Sequence, residues 1–161
     1  MHPRVRAFAD DDLDAVVALS LRAWAPVFAS LEHVLGPSGV FARMHPDWRV
    51  DQERAVREAC HTDGMRVWVA EVDAAVVGFA AARLDQDERM GEVYMIAVDP
   101  DQQRTGVGAL LMSAAMDWFR DNGMAMAMVE TGGDEGHEPA RRMYERAGFT
   151  PLPTVRFFQN L

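Results

Sequence analysis

Lysine is missing from this sequence altogether, and all 16 of its basic residues are arginine. A lysine Schiff base and the lysine of a nucleotide-binding P-loop are therefore excluded. Cys60 is the single cysteine, so the chain forms no internal disulfide and has too few thiolates for a zinc ribbon or an iron–sulfur cluster. We expect a protein of a reducing cytoplasm that holds no metal ion.

The chain also lacks a net positive charge, because its 25 acidic residues outnumber its 16 basic residues and give a formal net charge of −9. This balance disfavours a nucleic-acid partner, since phosphate backbones attract cationic surfaces. We find no stretch resembling the run of about 20 apolar residues that crosses a bilayer, and no secretory signal. We therefore expect one soluble domain over residues 1–161, without a membrane partner.

Hydrophobic periodicity predicts a mixed α/β chain. Helical spacing covers residues 13–24, 51–61, 107–119 and 138–147. Apolar runs bounded by turn residues predict strands at residues 5–8, 65–72, 76–84, 91–98, 124–130 and 154–160. Glycine and proline between residues 26 and 49 predict an irregular binding loop. We expect the earlier strands to form an antiparallel meander.

One segment combines a strand, a tight polar loop and the start of an apolar helix. Its loop residues are Gln103, Arg104, Thr105, Gly106, Val107 and Gly108. The first turn of a helix has unpaired N–H groups, and glycine lets a phosphate approach them, so the loop predicts a pyrophosphate site. The Walker pattern fails without lysine, and the dinucleotide fingerprint fails at Leu111, where a small residue is needed. A helix start without a ligand is the alternative.

A second motif lies downstream, where residues 140–149 read Ala-Arg-Arg-Met-Tyr-Glu-Arg-Ala-Gly-Phe. With the glycine loop, and with Val98-Asp99-Pro100 before it, this motif resembles the signatures of the GNAT superfamily of acyl-CoA N-acyltransferases. The resemblance covers residues 65–149 well and residues 5–21 loosely. It implies an α/β (α+β) GNAT fold, in which about four helices flank a mixed, mostly antiparallel sheet of about six to seven strands. The fourth and fifth strands would splay into a V-shaped opening.

The resemblance also assigns roles to residues. The loop from Gln103 to Gly108 would hold the pyrophosphate of acetyl-CoA, and Arg104, often glycine in the family, would pair with a phosphate or stay exposed. The strand residues that would pair with the pantetheine arm are Ile96, Ala97 and Val98. Tyr144 would protonate the leaving thiolate, which suits a phenol with an ordinary pKa of about 10, although a core tyrosine is the alternative.

His137 stands where the family often has asparagine. It would contact the CoA arm, act as a base, or merely begin the helix. The glycines at positions 132, 133 and 136 before it suggest a mobile loop.

Direct transfer requires a base that takes the proton of the attacking amine. Glu92, which begins the strand resembling the central family strand, is the first candidate, and Glu130 is the second. Ordered water, His137 and a merely solvated Glu92 stay open as alternatives. Cys60 is disfavoured as a nucleophile, because it lies on a predicted helix away from both motifs.

We therefore expect a cytoplasmic acetyltransferase that uses acetyl-CoA to acetylate a primary amine of a small molecule. A protein or peptide acetyltransferase and a non-catalytic acyl-CoA-binding module are the alternatives. Acceptor contacts would come from early helices and final strands, although an ordinary core would use most of the same aromatic residues. These residues are Trp24, Phe28, Phe41, Trp48, Arg156, Phe157 and Phe158. The final strands could also support a homodimer.

Overall fold

A computed structural model describes residues 2–161 and contains one five-stranded sheet in the order β1-β2-β3-β4-β5. The strands are β1 (Arg4–Ala7), β2 (Arg66–Val72), β3 (Ala75–Asp85), β4 (Met90–Val98) and β5 (Met126–Val129). Strands β1 to β4 pair antiparallel, whereas β4 and β5 pair parallel. The expected mixed, mostly antiparallel sheet is confirmed, with fewer strands than the expected six to seven.

Five α-helices cover the two faces of this sheet. They are α1 (Leu13–Leu35), α2 (Val40–Met44), α3 (Trp48–His61), α4 (Val107–Asp121) and α5 (Glu138–Arg146). Strand side chains alternate between the faces, so Ala80 joins the core beneath α4 while Phe79 joins the core beneath α1 and α3. The largest fully buried side chains on the two faces are Leu111 and Phe79.

The prediction of an irregular loop at residues 26–49 is wrong. Helix α1 continues through Pro26 to Leu35, and α2 and the start of α3 occupy most of the remainder. Packing outweighs the helix-breaking tendency of proline here, because buried Phe28 stacks on Trp48 with their ring centroids 4.6 Å apart. The chain turns at Gly39, whose φ of 76° separates α1 from α2, and again at residues 45–47, which separate α2 from α3.

The predicted strand at residues 154–160 is also wrong, because the chain after Phe149 forms neither helix nor strand. No neighbouring strand satisfies its backbone, and Phe157 is 92% exposed rather than part of a core. The segment is attached near its end, where Asn160 donates to the carbonyl oxygen of Ser38 at 2.6 Å and accepts from Arg43 at 3.0 Å. Alternating apolar residues therefore do not make a strand without a partner.

Helix α1 with its flanking turns, Asp10–Ser38, is long and apolar enough to cross a membrane by length and composition, because an 18-residue window within it has a mean hydropathy of 1.3. This finding corrects the expectation that no stretch approaches such a span. In the fold, the same helix buries Val16, Val17 and Leu19 in the core that it shares with α3.

Candidate active site

The loop between β4 and α4, residues 99–106, is named the phosphate loop here. Asp99 caps its first turn by accepting from the backbone nitrogen of Asp101 at 2.9 Å. Gln103 Nε2 donates to the carbonyl oxygen of Val98 at 3.3 Å, which ties the loop back to β4. Gly106, at a φ of 90°, turns the chain into α4.

The first turn of α4 is arranged to bind an anion. The first bond back to the loop runs from Leu110 N to Gly106 O at 3.1 Å, so the preceding N–H groups have no helical acceptor. These amides and the positive end of the helix dipole favour a phosphate. Gly108 also lets α5 approach, since a Cβ there would lie 2.7 Å from Met143 Sδ.

The two central strands separate beyond this loop. The pairing of β4 with β5 ends at Val93 and Val129. A bulge at Tyr94 shifts the register of β4 against β3 at the same point. Residues 94–98 of β4 consequently have no strand on the β5 side, and this open edge includes the predicted pantetheine contacts Ile96, Ala97 and Val98. The edge is free to pair with an extended amide-containing ligand.

Tyr144 lies on α5 and packs against the core beneath α4. Its ring meets Phe149 edge-on at a centroid distance of 6.2 Å. Burial raises the pKa of the Tyr144 hydroxyl to about 12, so the phenol stays protonated at neutral pH. No hydrogen bond occupies this hydroxyl within residues 2–161, which leaves its proton available to a ligand.

Glu92 lies on the other face of the sheet, because its neighbour Val93 joins the core beneath α4. Its carboxylate accepts from Arg83 Nε at 2.6 Å. That bond raises the pKa of Arg83, whose guanidinium also lies 4.6 Å from the centre of the Tyr94 ring. The structure therefore gives Glu92 a cationic partner and does not place it with Tyr144.

Residues 29–149 match the sequence profile of the Acetyltransferase (GNAT) family. The chain belongs to the GNAT family of acetyltransferases. A mycothiol acetyltransferase from Thermomonospora curvata is 34% identical over 119 residues, which are 72% of this chain and 39% of that protein. The GNAT chain spans 39% to 52% of the length of the first curated relatives that it matches.

Two solved structures show the same fold. The PaiA N-acetyltransferase from Thermoplasma acidophilum, in complex with coenzyme A, has a TM-score of 0.71 at 14% identity and covers 96% of this chain and 94% of its own. The aminoglycoside acetyltransferase AAC(6')-Iy, in complex with the bisubstrate analog CoA-S-monomethyl-acetylneamine, has a TM-score of 0.68 at 18% identity, with coverages of 100% and 99%. The expected GNAT fold is confirmed.

The loop between β5 and α5, residues 130–137, is named the tether loop, because side chains attach it to α1. Ser30 of α1 donates to Asp134 Oδ2 at 2.5 Å and accepts from the backbone nitrogen of Gly136 at 2.9 Å. His137 Nδ1 lies 2.5 Å from Asp134 Oδ1. This network attaches the loop to α1 in the GNAT chain, and the mobility suggested by its glycines stays a prediction.

Sequence reasoning missed Ser30 and Asp134 as residues that position His137. The only local signal is the spacing of Asp134 and His137, which places an acid three residues before a histidine in one turn. Ser30 is distant in sequence and gave no signal. Burial would raise the pKa of Asp134, but hydrogen bonds from Ser30 and His137 outweigh it and hold that pKa below its ordinary value.

The remaining candidate site residues take no part in this network. Glu130, at the end of β5, is exposed. Cys60 is half-buried on α3, and burial raises the pKa of its thiol to about 11, which disfavours a thiolate nucleophile. Arg104 is exposed, at a φ of 65°. Across residues 2–161, no group of three His, Cys, Asp or Glu side chains is placed to hold a metal ion.

Proposed function

We propose that this GNAT domain transfers the acetyl group of acetyl-CoA to a primary amine of a small molecule by direct attack. The observation that carries the proposal is the opening between β4 and β5, which has the phosphate loop at one end and a helix bearing Tyr144 beside it. A thioester has an electrophilic carbonyl, so the cosubstrate supplies the reactive acyl group when bound.

The residues present fit a pyrophosphate followed by an amide-containing arm. Gly106 supplies the left-handed turn, and the amides of the first turn of α4 face the anion without a lysine. The unpaired edge at residues 94–98 would bind the arm by backbone hydrogen bonds, and an N–H near Ile96 would polarise the acyl carbonyl. Arg104 lies in the same loop and would add a charge toward a phosphate.

Tyr144 would give its proton to the departing thiolate. The phenol has two properties that this step needs, because it is protonated at neutral pH and has no hydrogen-bond partner within the described chain. A group that donates only when the carbon–sulfur bond breaks stabilises the transition state more than the bound substrate. The Tyr144→Phe variant should therefore lose turnover while it retains affinity for acetyl-CoA.

The acceptor class is supported by the relatives and by charge. The curated relatives are named for mycothiol acetylation, and AAC(6')-Iy was solved with an acetylneamine-containing analog. The net charge of −9 and the exposed carboxylates of Asp85 and Asp87, beside Glu92, suit a cationic amine. A homodimer and a cytoplasmic location stay predictions.

The first test is calorimetric titration of the protein with acetyl-CoA, with ATP and NAD as controls. We expect binding to acetyl-CoA alone, and then release of CoA thiol with members of a panel of small amines. Tyr144→Phe should lower kcat by about 100-fold and leave the Kd for acetyl-CoA unchanged. A variant that turns over like the wild type would exclude the acid role of Tyr144.

The same panel should contain peptides with free N-termini. Turnover of peptides without turnover of small amines would replace the proposed acceptor class with a protein or peptide substrate. Binding of acetyl-CoA with no turnover on any amine would identify a non-catalytic acyl-CoA-binding module. No binding at millimolar acetyl-CoA would defeat the proposal while the fold stands.

A further inference from the structure

We propose that His137 is the proton acceptor of the acetyl transfer and that Asp134, held by Ser30, is the residue that positions it. This inference rests on the proposed function and selects one base among the candidates. The three side chains come from α1 and the tether loop and converge at the first residue before α5. The His137 and Asp134 side chains are only 18% and 14% exposed, so the pair is shielded from competing water.

The hydrogen bond to Asp134 fixes which nitrogen of His137 carries the proton. A carboxylate accepts and does not donate, so Nδ1 of His137 is the protonated nitrogen in the neutral ring. Nε2 then has the free lone pair. Within residues 2–161 it makes no hydrogen bond, and it is not among the fully enclosed polar atoms without partners, so it keeps some exposure to a ligand.

The charged groups around His137 favour a proton-accepting role. Asp134 is the one carboxylate that contacts the ring, and it would stabilise the imidazolium that forms. Arg141 does not compete for that carboxylate, because its NH1 donates at 2.7 Å to the backbone carbonyls of Gly132 and Asp134. Glu135 beside the pair is exposed, and within residues 2–161 no ionisable side chain of α1 forms a hydrogen bond or an ion pair with the ring.

A contact to the neutral arm of the cosubstrate would not require this arrangement. An amide side chain suffices for such a contact. Placing the partly shielded Asp134 carboxylate next to the His137 ring, by contrast, costs desolvation free energy. That cost is offset when the ring becomes positively charged during turnover. The partly buried Asp134 therefore favours the base over the arm contact.

The position of His137 relative to Tyr144 fits a division between base and acid. His137 is the residue that precedes α5, and Tyr144 lies seven positions later on that helix, about 10 Å further along its axis. Glu92 is on the other face of the sheet, and its carboxylate is engaged by Arg83 at 2.6 Å.

The proposed step balances as follows. The neutral amine forms a bond from nitrogen to the acyl carbon, and His137 Nε2 takes the proton that this nitrogen must lose. The carbon–sulfur bond breaks, and Tyr144 gives its hydroxyl proton to the sulfur. Solvent then carries the proton from the imidazolium to the phenolate, so both residues return to their starting states.

The test compares His137→Asn, Asp134→Asn and the matched control Glu135→Gln, using CoA thiol release across pH with the best small amine. Asparagine keeps a hydrogen-bonding group at position 137 but cannot take a proton. We expect His137→Asn to lower kcat by about 100-fold, to leave the KM for acetyl-CoA within about two-fold, and to remove the acidic limb of the rate profile. Asp134→Asn should lower kcat in the same direction, and Glu135→Gln should match the wild type.

Two kinetic results would overturn the inference. His137→Asn with wild-type kcat would exclude the base, and His137→Asn with intact kcat but a raised KM for acetyl-CoA would assign an arm contact instead. Failure of the proposed function looks different, because the wild type itself would then release no CoA with any amine. Thermal unfolding of each variant separates these results from misfolding.

A second measurement does not depend on turnover. Nitrogen-15 NMR of the imidazoles in the wild-type protein, with His137 assigned by its loss in His137→Asn, reports the tautomer directly. We expect the Nδ1-protonated ring in the wild type and a change of tautomer population in Asp134→Asn. An Nε2-protonated ring in the wild type would contradict the positioning role of Asp134.

Discussion

Helix α1 contacts both loops that border the opening between β4 and β5, but it contacts them in different ways. Arg22 reaches the phosphate loop from the surface, with ion pairs to Asp99 at 2.6 Å and Asp101 at 3.0 Å. Ser30 reaches the tether loop through a shielded network that ends at His137. One loop is supported by the ion pairs of a half-exposed guanidinium, and the other by a partly buried network of hydrogen bonds.

The difference indicates where the chemistry of each loop resides. The phosphate loop would act through backbone amides and the turn at Gly106, so most of its side chains are free to vary. The tether loop acts through Ser30 and Asp134 and through close backbone contacts, so its side chains are not exchangeable. Substitutions matched across the two loops test this distinction.

The largest effect is expected at Gly136, where the tether loop lies against α1. A Cβ there would lie 2.5 Å from the Cβ of Ser30 and 3.1 Å from the carbonyl oxygen of Pro26. Gly136→Ala should therefore cost about 1–3 kcal/mol of unfolding free energy, because a helix backbone cannot move aside cheaply. Urea unfolding measures the loss.

The matched control for this substitution is Gly133→Ala in the same loop. Among the described residues 2–161, no neighbouring atom lies within 4 Å of a Cβ at that position. We expect the unfolding free energy of Gly133→Ala to lie within about 0.5 kcal/mol of the wild-type value. Equal losses from both substitutions would mean that chain flexibility, rather than contact with α1, sets the stability of the tether loop.

A smaller effect, with a distinct pH dependence, is expected for Asp134→Asn. The pKa of Asp134 lies below its unfolded value near 3.8 because the bonds from Ser30 and His137 outweigh burial. A lowered carboxyl pKa adds stability that is fully present above the unfolded value and is lost as the pH falls through the folded value. The free energy of unfolding of the wild type should therefore exceed that of Asp134→Asn by about 1 kcal/mol at neutral pH. This difference should shrink below about pH 4.

Asp101→Asn in the phosphate loop is the counterpart of that variant. The Asp101 carboxylate is 81% exposed, so its pairing with Arg22 is weakened by solvent and salt. We expect the unfolding curve of Asp101→Asn to follow the wild type from acid to neutral pH. A pH-dependent difference as large as that of Asp134→Asn would remove the contrast between the loops.

The elements that sequence could predict are those whose signal is local. The phosphate loop is readable because Gly106 satisfies a local backbone need, the left-handed turn into α4. The apolar repeat of α4 and the runs of β2 to β4 are equally local signals. The motif that contains Tyr144 predicted helix α5 and its apolar stripe, although the role of Tyr144 in acetyl transfer stays a prediction.

The parts that sequence did not predict depend on distant partners. Pro26 sits inside α1 because Phe28 packs on Trp48, and no local pattern states that contact. Residues 154–160 have the composition of a strand but no strand beside them. Ser30 and Asp134 are 104 residues apart, so their bond is visible only in the fold.

The smallest effect is expected at Arg104, where the phosphate loop has a left-handed φ of 65° without glycine. Arg104→Ala removes the guanidinium but keeps the strained backbone, whereas Arg104→Gly removes both. The unfolding free energy of Arg104→Ala should differ from the wild-type value by less than about 0.5 kcal/mol. The Arg104→Gly variant should be more stable than Arg104→Ala by up to about 1 kcal/mol. Both variants should weaken acetyl-CoA binding equally and only a few-fold, because the backbone amides would hold the phosphates. A loss of about 100-fold, or about 2.7 kcal/mol, would show that a side chain carries this site, and the contrast with the tether loop would fail.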